Sequence, residues 1–135
     1  MNFKYLIEEL ENFDITDYQD DKNDIIGSHT VTNLTFKYHP KDAEELNEIC
    51  LKRYNKNPRN PFLGDIDTTL VTDMAHLFSC YDSEILNLSS WNTSNVKDMS
   101  NMFEKCGKLK KIIFPNFNTS NVTDMSHMFN GCIKL

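Results

Sequence analysis

An eight-residue phrase occurs three times in this chain: Val71-Thr72-Asp73-Met74-Ala75-His76-Leu77-Phe78, Val96-Lys97-Asp98-Met99-Ser100-Asn101-Met102-Phe103 and Val122-Thr123-Asp124-Met125-Ser126-His127-Met128-Phe129. The copies start 25 and then 26 residues apart. A repeat of this length predicts a solenoid, because one such unit cannot bury its own apolar faces and must stack on its neighbours. Solenoids generally present surfaces for binding.

The echo extends through whole units. Cys80, Cys106 and Cys132 follow the phrase at intervals of 26 residues, and they are expected to share a register. Then come the apolar alternations Leu86 and Leu88, and Ile112 and Phe114, followed by Trp91-Asn92-Thr93-Ser94-Asn95 and Phe117-Asn118-Thr119-Ser120-Asn121. The stretch Leu63 to Leu70 fits the same frame, with Leu63 in register with Leu88 and Ile66 with Trp91, so the array begins near residue 61 with half a repeat. Val96, Met99, Met102, Phe103 and Cys106 recur at helical spacing, which predicts a short helix capped by Ser94 or Asn95. Ile112-x-Phe114 alternates as a strand does. Stacking such units predicts an α/β chain with parallel strands on one face and short helices on the other.

The string Trp91 to Phe103, with a cysteine three residues on, resembles the BspA-like leucine-rich repeats, also called mycoplasma lipoprotein-type repeats, found on many bacterial and some protist surface proteins. Tyr38-His39-Pro40-Lys41, Glu44-Glu45-Leu46 and Gly64-Asp65-Ile66-Asp67-Thr68 are similar to the entry segment that often precedes those repeats. The resemblance covers residues 34 to 135. It implies a short leucine-rich-repeat solenoid of about two and a half repeats, with an N-terminal βα cap, acting in adhesion or recognition without catalysis. Relatives of this kind generally carry an export signal or lipid-anchor cysteine, whereas residues 1 to 11 contain no apolar core of that length. A cytoplasmic chain is expected on that ground, although the resembled family is often surface-exposed. The array reaches Leu135 where the third copy would enter its strand, as expected of a truncated chain, a fragment of a longer gene, or a short member capped by its last helix.

Ahead of the repeats two further units are expected. Residues 1–28 hold eight acids against Lys4 and Lys22, while the remainder of the chain is balanced. Phe3, Leu6, Ile7, Leu10 and Phe13 line one face of an expected helix over residues 2 to 13, followed by an acidic loop. This helix is expected to pack across the open first rung, or to dock a partner. Residues 29–60 form the cap: a strand at 34–38, a helix over 42–54 with Asp42 and Glu45 as a capping box, and Leu46, Ile49, Cys50 and Tyr54 on its apolar face. Another strand at 62–66 would complete a βαβ crossover before the repeats of residues 61–135.

No site chemistry emerges from the polar residues. The three repeat cysteines and Cys50 read as small buried hydrophobes in preference to a disulfide or a metal site, since no C-x-x-C spacing occurs. Asp73, Asp98 and Asp124 are expected to cap the first turns of their helices, a reading that explains their repetition better than catalysis or calcium binding does. Met74, Met99, Met125, Phe78, Phe103 and Phe129 complete the repeat-structural set. His76 and His127 share a register and are expected in solvent, too far apart to chelate one ion. The Asn-Thr-Ser-Asn tetrads are corner residues whose side chains bond backbone of neighbouring rungs.

These readings predict no enzyme, cofactor or metal. The balanced charge of residues 29–135 gives nucleic acid nothing to hold, and no apolar run approaches the ~20 residues of a membrane span. The expected function is a non-catalytic protein-recognition or adhesion module, and the alternative is an intracellular scaffold or regulatory protein docking through its acidic N-terminal helix. The outward strand positions Asn87, Ser89, Ile113 and Pro115 are the expected partner surface. Self-association, or continuation of the array in a longer native protein, is expected through the last strand, Ile112 to Phe114, whose edge has nothing paired beyond it.

Overall fold

The computed structural model describes residues 36–135. The helix expected over residues 2 to 13 and the acidic loop lie outside the described residues.

Residues rich in Glu, Leu and Lys form the helix α1, Ala43–Lys56. Its start is fixed reciprocally: Asp42 Oδ1 accepts the Glu45 N–H at 2.9 Å, and Glu45 Oε2 accepts the Lys41 N–H at 2.9 Å. Such paired acceptance satisfies backbone donors that a helix leaves open at its N-terminus. Glu44 and Glu45 in the first turn and Arg53 and Lys56 in the last oppose the helix dipole. Pro58 then biases Asn57 away from helical geometry, and the helix stops. Leu46 and Cys50 are fully buried, with Ile49 and Tyr54 packed beside them. Tyr38 and Ile66 pair as a parallel bridge, so α1 spans two parallel segments. This arrangement is fixed by Arg53, which bonds Asp65 at 2.8 Å with both side chains 3% exposed, and whose guanidinium lies near the Tyr38 and Phe62 rings.

The repeats follow as a stack. Strand β1, Ile85–Asn87, runs parallel to β2, Lys111–Ile113, with Leu86 opposite Ile112. On the other side, the short helices expected at the repeated phrase are absent. Residues 74–81 and 99–106 are instead chains of overlapping turns: Leu77, Ser79 and Tyr81 N–H groups bond the carbonyls of Met74, His76 and Phe78, and Met102, Glu104 and Cys106 do the same to Met99, Asn101 and Phe103. The alternate donors point out of the rung. Met74, His76, Phe78 and Cys80 donate to the carbonyls of Asp98, Ser100, Met102 and Glu104; Met99, Asn101, Phe103 and Lys105 donate to those of Asp124, Ser126, Met128 and Asn130.

The physical reason for the discrepancy lies in backbone accounting. An α-helix spends its N–H groups on carbonyls four residues back and leaves none for a neighbour, whereas this ribbon spends half locally and half on the next rung. It does so by placing residues at positive φ: His76, Asn101 and His127 near 55–60°, and Cys80, Lys105 and Gly131 at 64°, 59° and 81°. These stand third in their turns, where a type II turn requires a left-handed residue. Asn and Gly are at ease there, while Cys80 and Lys105 carry strain of about 1–2 kcal/mol each.

Apolar side chains of the ribbon point inward and stack by rung. The Phe78 and Phe103 rings lie 5.6 Å apart at 12°, and Phe103 and Phe129 lie 5.5 Å apart at 3°, within the range of offset aromatic stacking. Val71, Met74, Leu86, Leu88, Trp91, Val96, Met99, Met102 and Leu109 complete one continuous core with Leu46 and Cys50 of the cap. Burial of the ribbon's apolar residues falls at the last rung described. Met99, Phe103 and Leu109 are 0% exposed, whereas their counterparts Met125, Phe129 and Leu135 are 49%, 43% and 52% exposed.

Phe103→Ala, in the middle of the ring stack, is therefore expected to cost about 3–5 kcal/mol in a urea unfolding series. Phe129→Ala, with a similar ring neighbour but only one, should cost less than half of that.

Candidate recognition surface

The four outward strand positions expected to form a partner surface are not equally available. Pro115 is exposed and Asn87 half-buried, but Ser89 and Ile113 are buried. Asn87 turns its Oδ1 onto the Ser89 N–H at 3.1 Å, which holds the corner after β1 and draws both residues inward. Ile113 is buried outside the continuous core, in a strand whose open side is a shallow cleft of about 320 Å³ lined by Lys111, Ile112, Ile113, Phe114 and Pro115.

The repeated aspartates have an architectural task, and it differs from the expected one. Each makes an Asx turn: Asp73, Asp98 and Asp124 accept the N–H of Ala75, Ser100 and Ser126 at 2.8–2.9 Å through Oδ1. With no helix following, no helix dipole is involved. The Ser126 hydroxyl also bonds Asp124 Oδ1 and, with the Ser126 N–H, lowers the acid's pKa below its ordinary value.

The corner tetrads bond in the same local way and across rungs. Asn92 and Asn118 accept the N–H and hydroxyl of Ser94 and Ser120, and Asp67 serves Thr69 identically in the half-repeat. These bonds from Thr69, joined by His39, hold the Asp67 carboxyl below its ordinary pKa. Thr68 Oγ1 donates to the Asn92 carbonyl and accepts the Asn92 N–H, and buried Thr93 treats Asn118 likewise. Asn95 and Asn121 each donate through Nδ2 to a carbonyl one rung earlier, those of Thr69 and Ser94.

The cysteine register requires a correction. Cys106 and Cys132 are equivalent: their N–H groups bond Phe103 and Phe129, and their thiols donate to the carbonyls of Phe78 and Phe103 at 3.0 and 2.9 Å. Tyr81, not Cys80, holds that place in the preceding rung, because its N–H bonds Phe78. Cys80 occupies the left-handed position of Lys105 and Gly131 and is exposed. The uniform 26-residue spacing of the cysteines conceals this, since the first two rungs are 25 residues apart at the phrase and the extra residue falls after it. All four cysteines are free thiols. Burial pushes the Cys106 thiol up to about 12, raises Cys132 and raises Cys50 still further.

His76 and His127 are exposed as expected, and His76 Nε2 lies 3.2 Å from Asn101 Nδ2. Among the described residues no three His, Cys, Asp or Glu side chains form a group that could hold a metal ion, and no helix is long and apolar enough to cross a membrane. A second cleft, of about 560 Å³, lies where α1 meets the rungs and is lined by Tyr54, Asn57, Pro58, Arg59, Asp82, Glu84 and Lys108. Its charges alternate by rung: Glu84 binds both Arg59 and Lys110 at 3.0–3.1 Å, and Lys108 lies 3.4 Å from Asp82. Sequence reasoning missed this charge ladder and the buried Arg53–Asp65 pair. The 26-residue interval between Glu84 and Lys110 was readable, but nothing local marked Arg53 as an inward residue.

The thiols provide a direct check of the register. At pH 8, far below the Cys106 pKa of about 12, an alkylating reagent should modify Cys80 first and Cys132 more slowly. Cys50 and Cys106 should react only as the chain unfolds, as read by mass spectrometry of the labelled peptides.

No curated protein and no solved structure matches the chain. A family described as "Mycoplasma protein of unknown function, DUF285" matches residues 41–135, a span that begins just before α1 and takes in every rung of the stack. On that match, which covers more than half of its length, the chain belongs to this DUF285 family.

Proposed function

We propose that the chain is a non-catalytic recognition module built as a short leucine-rich-repeat solenoid of BspA-like type, and that its ligand is a protein. One observation carries this reading: the polar side chains that recur in every rung are consumed in holding the rungs. The aspartates accept N–H groups of their own turns, the threonines bridge carbonyl and N–H of the next corner, and the asparagines reach back to the rung before. A chemistry that depended on those residues would compete with the architecture for the same lone pairs.

What distinguishes one rung from the next is its exposed residues. Thr72, Lys97 and Thr123 are exposed at one position, and Asp82 and Lys108 face solvent at another. A stacked frame with rung-specific surface is suited to reading an extended partner. The protein class of the ligand follows from the resemblance of Trp91 to Phe103 to adhesion repeats. The scaffold reading, in which the acidic N-terminal segment makes the contact, uses different residues and so can be separated from this one.

The test is surface plasmon resonance of the full chain against purified extracellular-matrix proteins. Saturable binding that weakens at least about tenfold, or 1.4 kcal/mol, in the rung-surface variant Lys97→Glu/Pro115→Asp is expected. Binding that survives this variant but is abolished by Leu6→Asp/Leu10→Asp would favour the scaffold reading. No saturable binding to any matrix protein would remove the adhesion reading.

A further inference from the structure

The seam between α1 and the rungs is built from two columns of side chains. Asn57, Asp82 and Lys108 occupy one position in three successive rungs, and Arg59, Glu84 and Lys110 occupy the position two residues on. Backbone bonds set this register: the Arg59 carbonyl accepts the Glu84 N–H at 2.8 Å, and the Glu84 carbonyl accepts the Lys110 N–H at 2.8 Å. Between the columns Ser83 and Leu109 are buried, and the Ser83 hydroxyl donates to the Pro58 carbonyl at 2.6 Å. The cleft of about 560 Å³ at this seam therefore stands on a fixed floor.

Its charges do not cancel. Three cations, Arg59, Lys108 and Lys110, stand against two acids, Asp82 and Glu84, and Glu84 is shared by Arg59 and Lys110. Arg59 spends Nε and Nη2 on Glu84, which leaves Nη1 without a partner among the described residues. Lys108 is held by Asp82 alone, at 3.4 Å. The Tyr54 hydroxyl accepts the Asp82 N–H at 3.2 Å, and its own proton has no acceptor among the described residues. Tyr54, Arg59 and Lys108 all line the cleft, so it carries three donors with capacity to spare and an excess of positive charge.

An apolar wall stands beside these donors. The Tyr54 ring packs on the Tyr81 ring with centroids 4.1 Å apart, and Pro58 continues the surface. Tyr81 is itself buried and so backs the Tyr54 ring from within. A tyrosine placed in this way offers an apolar face and a polar tip to the same partner.

An occupant that fits must join one negative charge to an apolar group. A carboxylate matches the surplus, since it is an acceptor only and takes an arginine fork in its plane. A phosphate carries about −1.5 to −2 at pH 7, which overcompensates the site and sets the second charge against Asp82 and Glu84. The volume lies within the roughly 300–1,000 Å³ of pockets that take drug-sized ligands, enough for a short stretch of peptide.

We propose that this cleft binds an acidic peptide segment of a protein partner, taking one Asp or Glu side chain between Tyr54, Arg59 and Lys108 and the apolar residue beside it against Tyr54 and Pro58. The proposal rests on the reading of the chain as a protein-recognition module and gives that module a site and a partner chemistry.

Selection from a random hexapeptide library displayed on phage, with the full chain as bait, tests it. The peptides recovered should share an acid next to an apolar residue, and the strongest, made synthetically, should shift the amide signals of Asp82, Glu84 and Lys108 in a saturable NMR titration. Changing the peptide's acid to its amide, or Lys108→Gln in the protein, should weaken binding at least about tenfold. Tyr54→Phe, which removes one hydrogen bond and keeps the ring, should weaken it about threefold, while Lys52→Gln on the exposed side of α1 should leave it unchanged. Selected peptides without a shared acid, or binding indifferent to Lys108→Gln, would overturn the proposal. So would inorganic phosphate that shifts the same amides at lower concentration than the peptide does. Matrix-protein binding that survives Lys108→Gln while no acidic peptide is recovered would remove this site and keep the module reading. Peptide binding at the cleft in a chain that holds no matrix protein would keep the site and remove the adhesion reading.

Discussion

The one-way hydrogen-bond ladder between turn ribbons is the constraint on which the rest of this structure depends. In the first two ribbons half of the N–H groups close local turns and the other half bond the next rung. Backbone groups buried without partners cost on the order of 1–3 kcal/mol each, so a ribbon of this kind is stable only inside a stack. That requirement explains the period, since every unit must return the chain to the same place. It also explains the left-handed residues at His76, Asn101 and His127, and at Cys80, Lys105 and Gly131, without which the alternate amides would not face the next rung. On the strand side the bonds run both ways, Leu88 donating to Ile113 and Lys111 to Glu84, and at the entry to the ribbons Lys97 and Thr123 donate back to Thr72 and Lys97. Only the ribbon gives the stack a direction.

From that direction follows the asymmetry of the two ends. At the start, α1 satisfies its own backbone and offers the rungs apolar contact through Leu46 and Cys50, which covers the core without extending the ladder. The buried Arg53–Asp65 pair ties this helix to the half-repeat, and breaking a buried pair of this kind costs about 3–5 kcal/mol. In the last rung described, the apolar residues Met125, Phe129 and Leu135 are exposed.

Much of this was legible in the sequence, and the failures have physical causes. The parallel pairing of Leu86 with Ile112, the boundaries of α1 near Asp42 and Pro58, and the burial of Met74, Met99, Phe78 and Phe103 were readable from period and capping chemistry, whereas Met125 and Phe129 of the same set are exposed. The helices at 96–106 were misread because Val96, Met99, Met102, Phe103 and Cys106 fit a helical stripe equally well when every second peptide turns outward; periodicity reports which side chains face the core and is silent on where the amides go. Cys80 was misplaced by one residue because spacing was counted between cysteines, across an insertion, when the backbone bonds follow the aspartates. Strict alternation puts Ser89 and Ile113 outward, but it ends where β1 and β2 give way to the corner, and both are buried. The family match, over residues 41–135, takes in α1 as well as the rungs and leaves function open.

The most direct measurement of this account is the through-hydrogen-bond scalar coupling between amide nitrogen and carbonyl carbon, read by NMR on labelled chain. Couplings are expected from Met74, His76, Phe78 and Cys80 nitrogens to the carbonyl carbons of Asp98, Ser100, Met102 and Glu104, and from Met99, Asn101, Phe103 and Lys105 to those of Asp124, Ser126, Met128 and Asn130. Couplings from residues 99–106 to carbonyls four residues earlier in the same rung would mean helices stand where the ribbon is placed, and would contradict it.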